Sequence, residues 1–217
     1  KVEATAKDKL VVTFDQRLLE GNNINKEVFN VKFGEESATI GSISVSRVDG
    51  KTVVTLNLKD ADINANADNV KLTIANDEGK YLKNLFGVAV ADNDFKGTIE
   101  DKIAPSIVKD GKELDITATN GEDGKGVITI EFDEAIDDSD MTTRDFEVNG
   151  YKVDKVEVTG DNEDDKNIVK ITLDEEIKGS SVKLTQKYPV KDEKGNEFKL
   201  DKTVTVTKPQ EETGDGE

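Results

Sequence analysis

The chain contains no cysteine, no histidine and no tryptophan, and has three prolines and one methionine in 217 residues. Each absence removes a class of chemistry. Without cysteine, no disulfide staples the fold. Without histidine there is no Ser-His-Asp or Cys-His machinery and no imidazole metal site. Without tryptophan the usual stacking platform for sugars is missing, and Tyr81, Tyr151 and Tyr188 are left to serve. No apolar run approaches the length that spans a membrane, and none follows Lys1 in the manner of a signal peptide. The chain therefore reads as an internal segment of something larger. None of the serines lies in a Gly-x-Ser-x-Gly elbow, and phosphate-binding glycine motifs are absent. An active site needs a concave pocket and perturbed groups, so catalysis is not expected.

What is present is charge of one sign. Lys and Arg total 30 against 47 Asp and Glu, a net charge of −17. Such a surface repels nucleic acid and anionic lipid, and suits cations, basic partners or polyhydroxylated surfaces. Apolar residues make up 34 %, so they must be placed economically, on one face of each element.

The sequence also repeats itself. Lys9-Leu10-Val11-Val12-Thr13-Phe14-Asp15 returns as Gly126-Val127-Ile128-Thr129-Ile130-Glu131-Phe132-Asp133, and Phe29-Asn30-Val31 as Phe146-Glu147-Val148. Val53–Leu58 returns as Ile168–Leu173, Val70–Thr73 as Val182–Thr185, and Asp77-Glu78-Gly79 as Asp192-Glu193-Lys194-Gly195. Phe14 and Phe132 lie 118 residues apart, Val70 and Val182 112. That spacing is too long for a solenoid repeat and right for a small domain.

Within each copy the pattern alternates with period two. Leu10, Val12 and Phe14 share one face, as do Ile128, Ile130 and Phe132; Val54, Leu56 and Leu58 match Val169, Ile171 and Leu173. This is half-buried antiparallel patterning. Val48-Asp49-Gly50-Lys51 reads as a tight hairpin, with Thr159–Asn167 as its longer counterpart. Asn120–Gly124 and Asn149-Gly150 read as further turns. Asn25 and Thr142 each precede one expected helical turn that drops Phe29 or Phe146 into the core. About seven short strands per copy predict immunoglobulin-like sandwiches. The fold class is all-β, two tandem immunoglobulin-like antiparallel β-sandwich domains at 1–101 and 102–207. Residues 208–217 read as an acidic disordered tail or linker, and Pro105 as the stiffener of a short joint.

Val127–Ile136 followed by Met141–Gly150 resembles the opening of bacterial Ig-like modules found in S-layer and related surface proteins of Bacillus-like bacteria. Asp101-Lys102-Ile103-Ala104-Pro105 is similar to the Asp-x-x-Ala-Pro start that separates such modules. The first copy departs from the pattern, since Phe14-Asp15-Gln16-Arg17-Leu18 lacks the Glu-Ala pair. The resemblance implies sandwich modules that act as extracellular spacers and assemble with other copies in a cell-wall lattice, often with calcium. It also implies anchoring to cell-wall polymer through regions outside this segment. No nucleic acid and no membrane insertion are expected. The alternative is an adhesin or accessory ligand-binding module, with Tyr188-Pro189 as one rim of its site.

Acidic clusters are the candidate calcium ligands, because Ca²⁺ takes about six to eight oxygens. Asp92 and Asp94 with Glu100 and Asp101, joined by Asp110, are expected to bind an ion at the joint. Asp137, Asp138 and Asp140 form a second set after the Phe132 strand. Asp161–Asp165 and Asp192-Glu193 are further clusters, but Lys166 stands where an EF-hand requires glycine. Lys170, Lys183 and Lys187 are expected to protect exposed sheet edges.

Overall fold

The computed structural model describes residues 1–19, 24–63, 67–77, 79–91, 93–94, 97–110, 113–160 and 166–207, with 93–94, 109–110 and 113–114 described by their backbone. The chain divides into two compact units, Lys1–Ile103 and Ala104–Glu217. No α-helix occurs among the described residues.

Domain 1 contains β1 (Val2–Ala6), β2 (Lys9–Phe14), β3 (Phe29–Phe33), β4 (Glu36–Ser37), β5 (Thr39–Val48), β6 (Lys51–Lys59), β7 (Val70–Ile74), β8 (Asn93–Asp94) and β9 (Glu100–Asp101). One sheet has the order β5-β6-β2-β1-β9, the other β4-β3-β7-β8. Their pairs are antiparallel except β1 with β9. Both sheets feed one core: Leu10, Val12, Val54 and Leu56 from the first meet Phe29, Val31, Val70 and Leu72 from the second. The period-two pattern produces this directly, since alternate side chains leave a strand on opposite faces. Burying each such side chain contributes about 1.5–3 kcal/mol.

Domain 2 contains β10 (Lys109–Asp110), β11 (Glu113–Leu114), β12 (Ile116–Asn120), β13 (Gly126–Glu131), β14 (Ile136–Asp137), β15 (Phe146–Val148), β16 (Val153–Thr159), β17 (Ile168–Leu173), β18 (Ser181–Gln186), β19 (Val190–Asp192), β20 (Glu197–Phe198) and β21 (Val204–Thr207). The sheet β12-β13-β17-β16 repeats the order β1-β2-β6-β5 of domain 1. The sheet β15-β18-β21 repeats β3-β7-β8, and β14-β19-β20 and β10-β11 complete the domain. Ile128, Ile130, Phe132, Val169, Ile171 and Leu173 are buried, as their alternation requires. Phe132 meets Phe198 edge-on at 5.5 Å, a favoured aromatic geometry. Each domain is thus an immunoglobulin-like antiparallel sandwich with its own core.

The local signals operate as the residues dictate. Val48 pairs with Lys51 across Asp49-Gly50. Asp49 at φ 52° and Gly50 at φ 76° supply the two positive φ values that a primed hairpin turn needs. Asn25 caps a single 3₁₀ turn, Lys26–Val28, by accepting a bond from the Glu27 amide. Thr142 and Asp145 form a full capping box on Thr143–Asp145. Phe29 and Phe146 follow these turns and are buried.

One expectation is corrected. Lys170 lies on β17 and Lys183 on β18, both interior strands, so neither guards an edge. Their chain positions were right for outward faces, but strand order is set by long-range pairing. Lys187 lies beyond the end of β18 and pairs with Glu147 at 2.5 Å.

Candidate functional site

Domain 2 carries a cleft of about 270 Å³. One wall comes from β14 and the loop after it, with Asp137, Asp140 and Met141; the other from Tyr188, Pro189, Val190 and Lys191. The antiparallel pairing of Asp137 with Lys191 brings the two chain segments together. Phe146 and Asp145 also line it, as does Glu197 of β20. The rim is held in place by the buried Gln186, whose Nε2 donates to the Tyr188 carbonyl at 3.0 Å. Tyr188 itself is 61 % exposed. Four acidic residues, Asp137, Asp140, Asp145 and Glu197, line the cleft with one lysine, Lys191, whose ammonium approaches Glu197 at 3.5 Å. The cleft combines an acidic field with apolar and aromatic surface, a setting for a cation or a polyhydroxylated ligand.

Asp137 Oδ1 accepts a bond from the Ser139 amide at 2.9 Å. That bond, backed by the Ser139 hydroxyl, holds the Asp137 carboxyl below the usual carboxylate range. Asp138 turns to Lys166, at 3.2 Å. Asp145 is occupied by the Thr142 amide and hydroxyl. Of the expected set in this loop, Asp137 and Asp140 share the cleft and Asp138 does not line it.

The expected set at the joint is placed differently. Asp92 lies outside the described residues, and Asp94 and Asp110 are described by backbone pairing in β8 and β10. Glu100 is bound by the Lys1 ammonium at 2.9 Å. Asp101 is buried, and its Oδ1 accepts from the Ile103 amide at 2.8 Å. Glu100 and Asp101 point to opposite faces because they are consecutive in a strand. The hairpin tip 161–165 also lies outside the described residues.

Asp192 plays a structural role. It is buried, its Oδ1 accepts from the Lys194 and Asn196 amides, and its Oδ2 accepts from the Asn196 side chain. Tyr151 uses its hydroxyl to accept a bond from the Lys178 amide at 3.1 Å. Two surface features escaped the sequence. One is the Leu85–Val88 tip in domain 1, where Phe86 is 91 % exposed. The Asn84 side chain rigidifies this tip by accepting from the Phe86 and Val88 amides. The other is the long outer strand β5. The available signal for both was local freedom from acidic residues: none occurs in 79–91 or in 37–48.

Residues 1–102, the first domain, match the family model for outer cell wall protein domain 7. The Outer cell wall protein of Brevibacillus brevis is 31 % identical over 161 residues, 74 % of this chain. The first domain is thus an outer-cell-wall protein domain, and the chain as a whole resembles a stretch of a bacterial outer cell wall protein. Its place is extracellular, in the cell wall. These surface domains span 15 % of the Brevibacillus protein's length. Among solved structures, the N-terminal part of the bacterial S-layer protein SbsC is 15 % identical, with 96 % of this chain and 43 % of that one covered at a TM-score of 0.38. The extracellular portion of mouse CD200RLa is 11 % identical, with 94 % and 96 % covered at 0.35. No helix among the described residues is long and apolar enough to cross a membrane.

Proposed function

We propose that this segment is architectural: its two sandwiches act as spacers in a bacterial surface array and present edges and loops to other copies. The observation that carries the reading is the match of the whole first domain to an outer-cell-wall domain. The physical design supports it, because each domain closes its own apolar core without a disulfide. Attachment to cell-wall polymer would fall to regions outside these residues. Catalysis has no part in the proposal.

Calcium belongs to the same proposal. Asp137 and Asp140 share one cleft wall, and Glu197 offers a third carboxylate from the same lining. An ion there would neutralise converging charge and order the loop that precedes the Thr142 capping box. Sedimentation and small-angle scattering across a concentration series, with calcium and with chelator, test both parts. Self-association is expected, with a higher melting temperature for domain 2 in calcium. A chain that stays monomeric at every concentration would sink the architectural reading. Melting that ignores chelator would remove calcium from it.

The exposed Tyr188 favours a second reading, a ligand-binding module whose cleft takes a polyhydroxylated ligand. Titration with purified cell-wall polysaccharide separates the two. Saturable binding lost in Tyr188→Ala, by a chain that never self-associates, would support this reading over assembly.

A further inference from the structure

We infer that β5 is a docking edge, pairing antiparallel with the β5 strand of a second copy of this chain and continuing the domain 1 sheet across a two-fold axis. The inference rests on the self-assembly reading above and names the surface it would use.

Among the described residues, β5 is the outermost strand of its sheet and is hydrogen-bonded on one side to β6. Its ten residues span about 34 Å. An open edge of that length is a template for another strand, and proteins ordinarily blunt such edges with charge, cover or brevity. Domain 2 does so. Its corresponding edge, β16, lies beyond β17 as β5 lies beyond β6. β16 carries Asp154, Lys155 and Glu157 within seven residues. Lys125 binds Asp154 at 2.6 Å, and Lys155 pairs with Glu157.

On β5 the outward rhythm is Ser42, Ser44 and Ser46, and Arg47 is its one charged residue. From Ser37 to Val48 there is no acidic side chain, in a chain with 47 of them. Only the N-terminal part of the strand is blunted. There the register shifts between Ile40 and Ser42, and the Lys26 ammonium donates to the Ile40 carbonyl at 3.4 Å. Every residue from Ser44 to Val48 is exposed, and Val45 and Val48 are 41 % and 52 % accessible. The Asp49-Gly50 turn and the continuous pairing to β6 hold this arm extended.

A second copy fits this edge better than a foreign chain. Two molecules of net charge −17 repel each other over most of their surface, and least where acid is absent. One arginine gives little hold on an acidic partner and none on a basic one. Antiparallel strand pairing is self-complementary under two-fold symmetry, and Val45 of each copy adds a cross-strand apolar contact.

The chain lacks cysteine, so one introduced thiol reports one contact. Single variants Val45→Cys on β5 and Glu157→Cys on β16 are oxidised in chelator. In parallel, the wild type, Val45→Lys and Ser44→Glu are sedimented over a concentration series, with thermal unfolding as the check on folding. The expected result is a reversible wild-type dimer whose dissociation constant rises roughly tenfold or more in both charged variants at unchanged melting. Disulfide dimers are expected from Val45→Cys and not from Glu157→Cys. The cross-link leaves the edge uncharged, so it decides the matter even if a charged variant unfolds. If all variants associate like the wild type, and Val45→Cys cross-links no faster than Glu157→Cys, the edge is wrong and the architectural reading stands. If the wild type is monomeric throughout and Val45→Cys does not cross-link, both fall together.

Discussion

The two domains solve one problem with different side chains. Each must tie a loop that leaves the second sheet back to its own backbone. Domain 1 uses the buried Asn76. Its Oδ1 accepts from the Tyr81 and Leu82 amides, and its Nδ2 donates to the Leu82 and Val90 carbonyls. Domain 2 divides the task. Gln186 donates to the Tyr188 and Phe198 carbonyls and accepts from the Leu200 amide, while Asp192 gathers the donors of the following turn. Gln186 stands in register opposite Phe146, where domain 1 has Ile74 opposite Phe29. The lesson is that an amide is interchangeable with another amide two residues away, provided every donor and acceptor ends paired. The carboxylate appears where the turn offers three donors to it, the Lys194 and Asn196 amides and the Asn196 side chain.

This contrast makes predictions that can break it. The largest effect is in the core. Phe132→Ala is expected to cost about 3–5 kcal/mol, because the ring is 1 % exposed and packs on Phe198. Its repeat partner Phe14 is half-buried, so Phe14→Ala should cost about half as much. Denaturant titrations read by residue-resolved hydrogen exchange separate the domains, and equal losses would refute the asymmetry.

Next comes an exchange of the buried polar groups. Asn76→Asp places acceptors against the Leu82 and Val90 carbonyls and should cost about 3 kcal/mol. Asp192→Asn keeps the two amide bonds to Oδ1 and disturbs one side-chain bond, at about 1 kcal/mol. Equal penalties in chemical denaturation would mean that charge and donor pattern do not decide these positions.

Smaller still is a glycine comparison. Gly79 and Gly195 close analogous turns, donating to the Asn76 and Asp192 carbonyls with φ of 84° and 82°. Alanine at Gly195 meets open space and should lose about 1 kcal/mol to the φ alone. Alanine at Gly79 would also place its Cβ 2.5 Å from that of Ala89 and should lose more. Thermal midpoints of the two variants test the order.

The smallest effect is electrostatic. Asp137 is held low by Ser139, and Asp154 by Lys125. A carboxyl with a depressed folded-state value stabilises above its unfolded value, near about 3.9, and that contribution disappears as pH falls through the folded value. Asp137→Asn should therefore weaken domain 2 at neutral pH and match the wild type in strong acid. A difference that persists at the acid end would contradict the assignment. Lys1, raised chiefly by Glu100 and then Glu3, gives domain 1 the opposite dependence: stability present below the unfolded lysine value and lost at high pH.

Much of the fold was legible in the residues. Alternation marked the core strands, Asp49-Gly50 marked its hairpin, and the Asn25 and Thr142 caps placed Phe29 and Phe146. The repeat was nearly right at the late turn. It paired Asp77 with Asp192, whereas the hydrogen bonds pair Asn76 with Asp192, since each is the carbonyl that receives the glycine amide three residues on. Asp77 is exposed and binds Lys80. The site was less legible. Asp137 and Asp140 looked no different from Asp138, and a pattern of acids does not say which will be claimed by a lysine. Tyr188 carried a signal only because proline followed it.

Composition and periodicity alone pointed to strands without long helices, in two similar stretches, and excluded imidazole and thiol chemistry, because those properties depend on which residues occur and at what local spacing. Folding in three dimensions decided which strand became an edge, which carboxylates met across a cleft and which amide was buried. Those outcomes depend on pairing between residues far apart in the chain, and no local window contains that information.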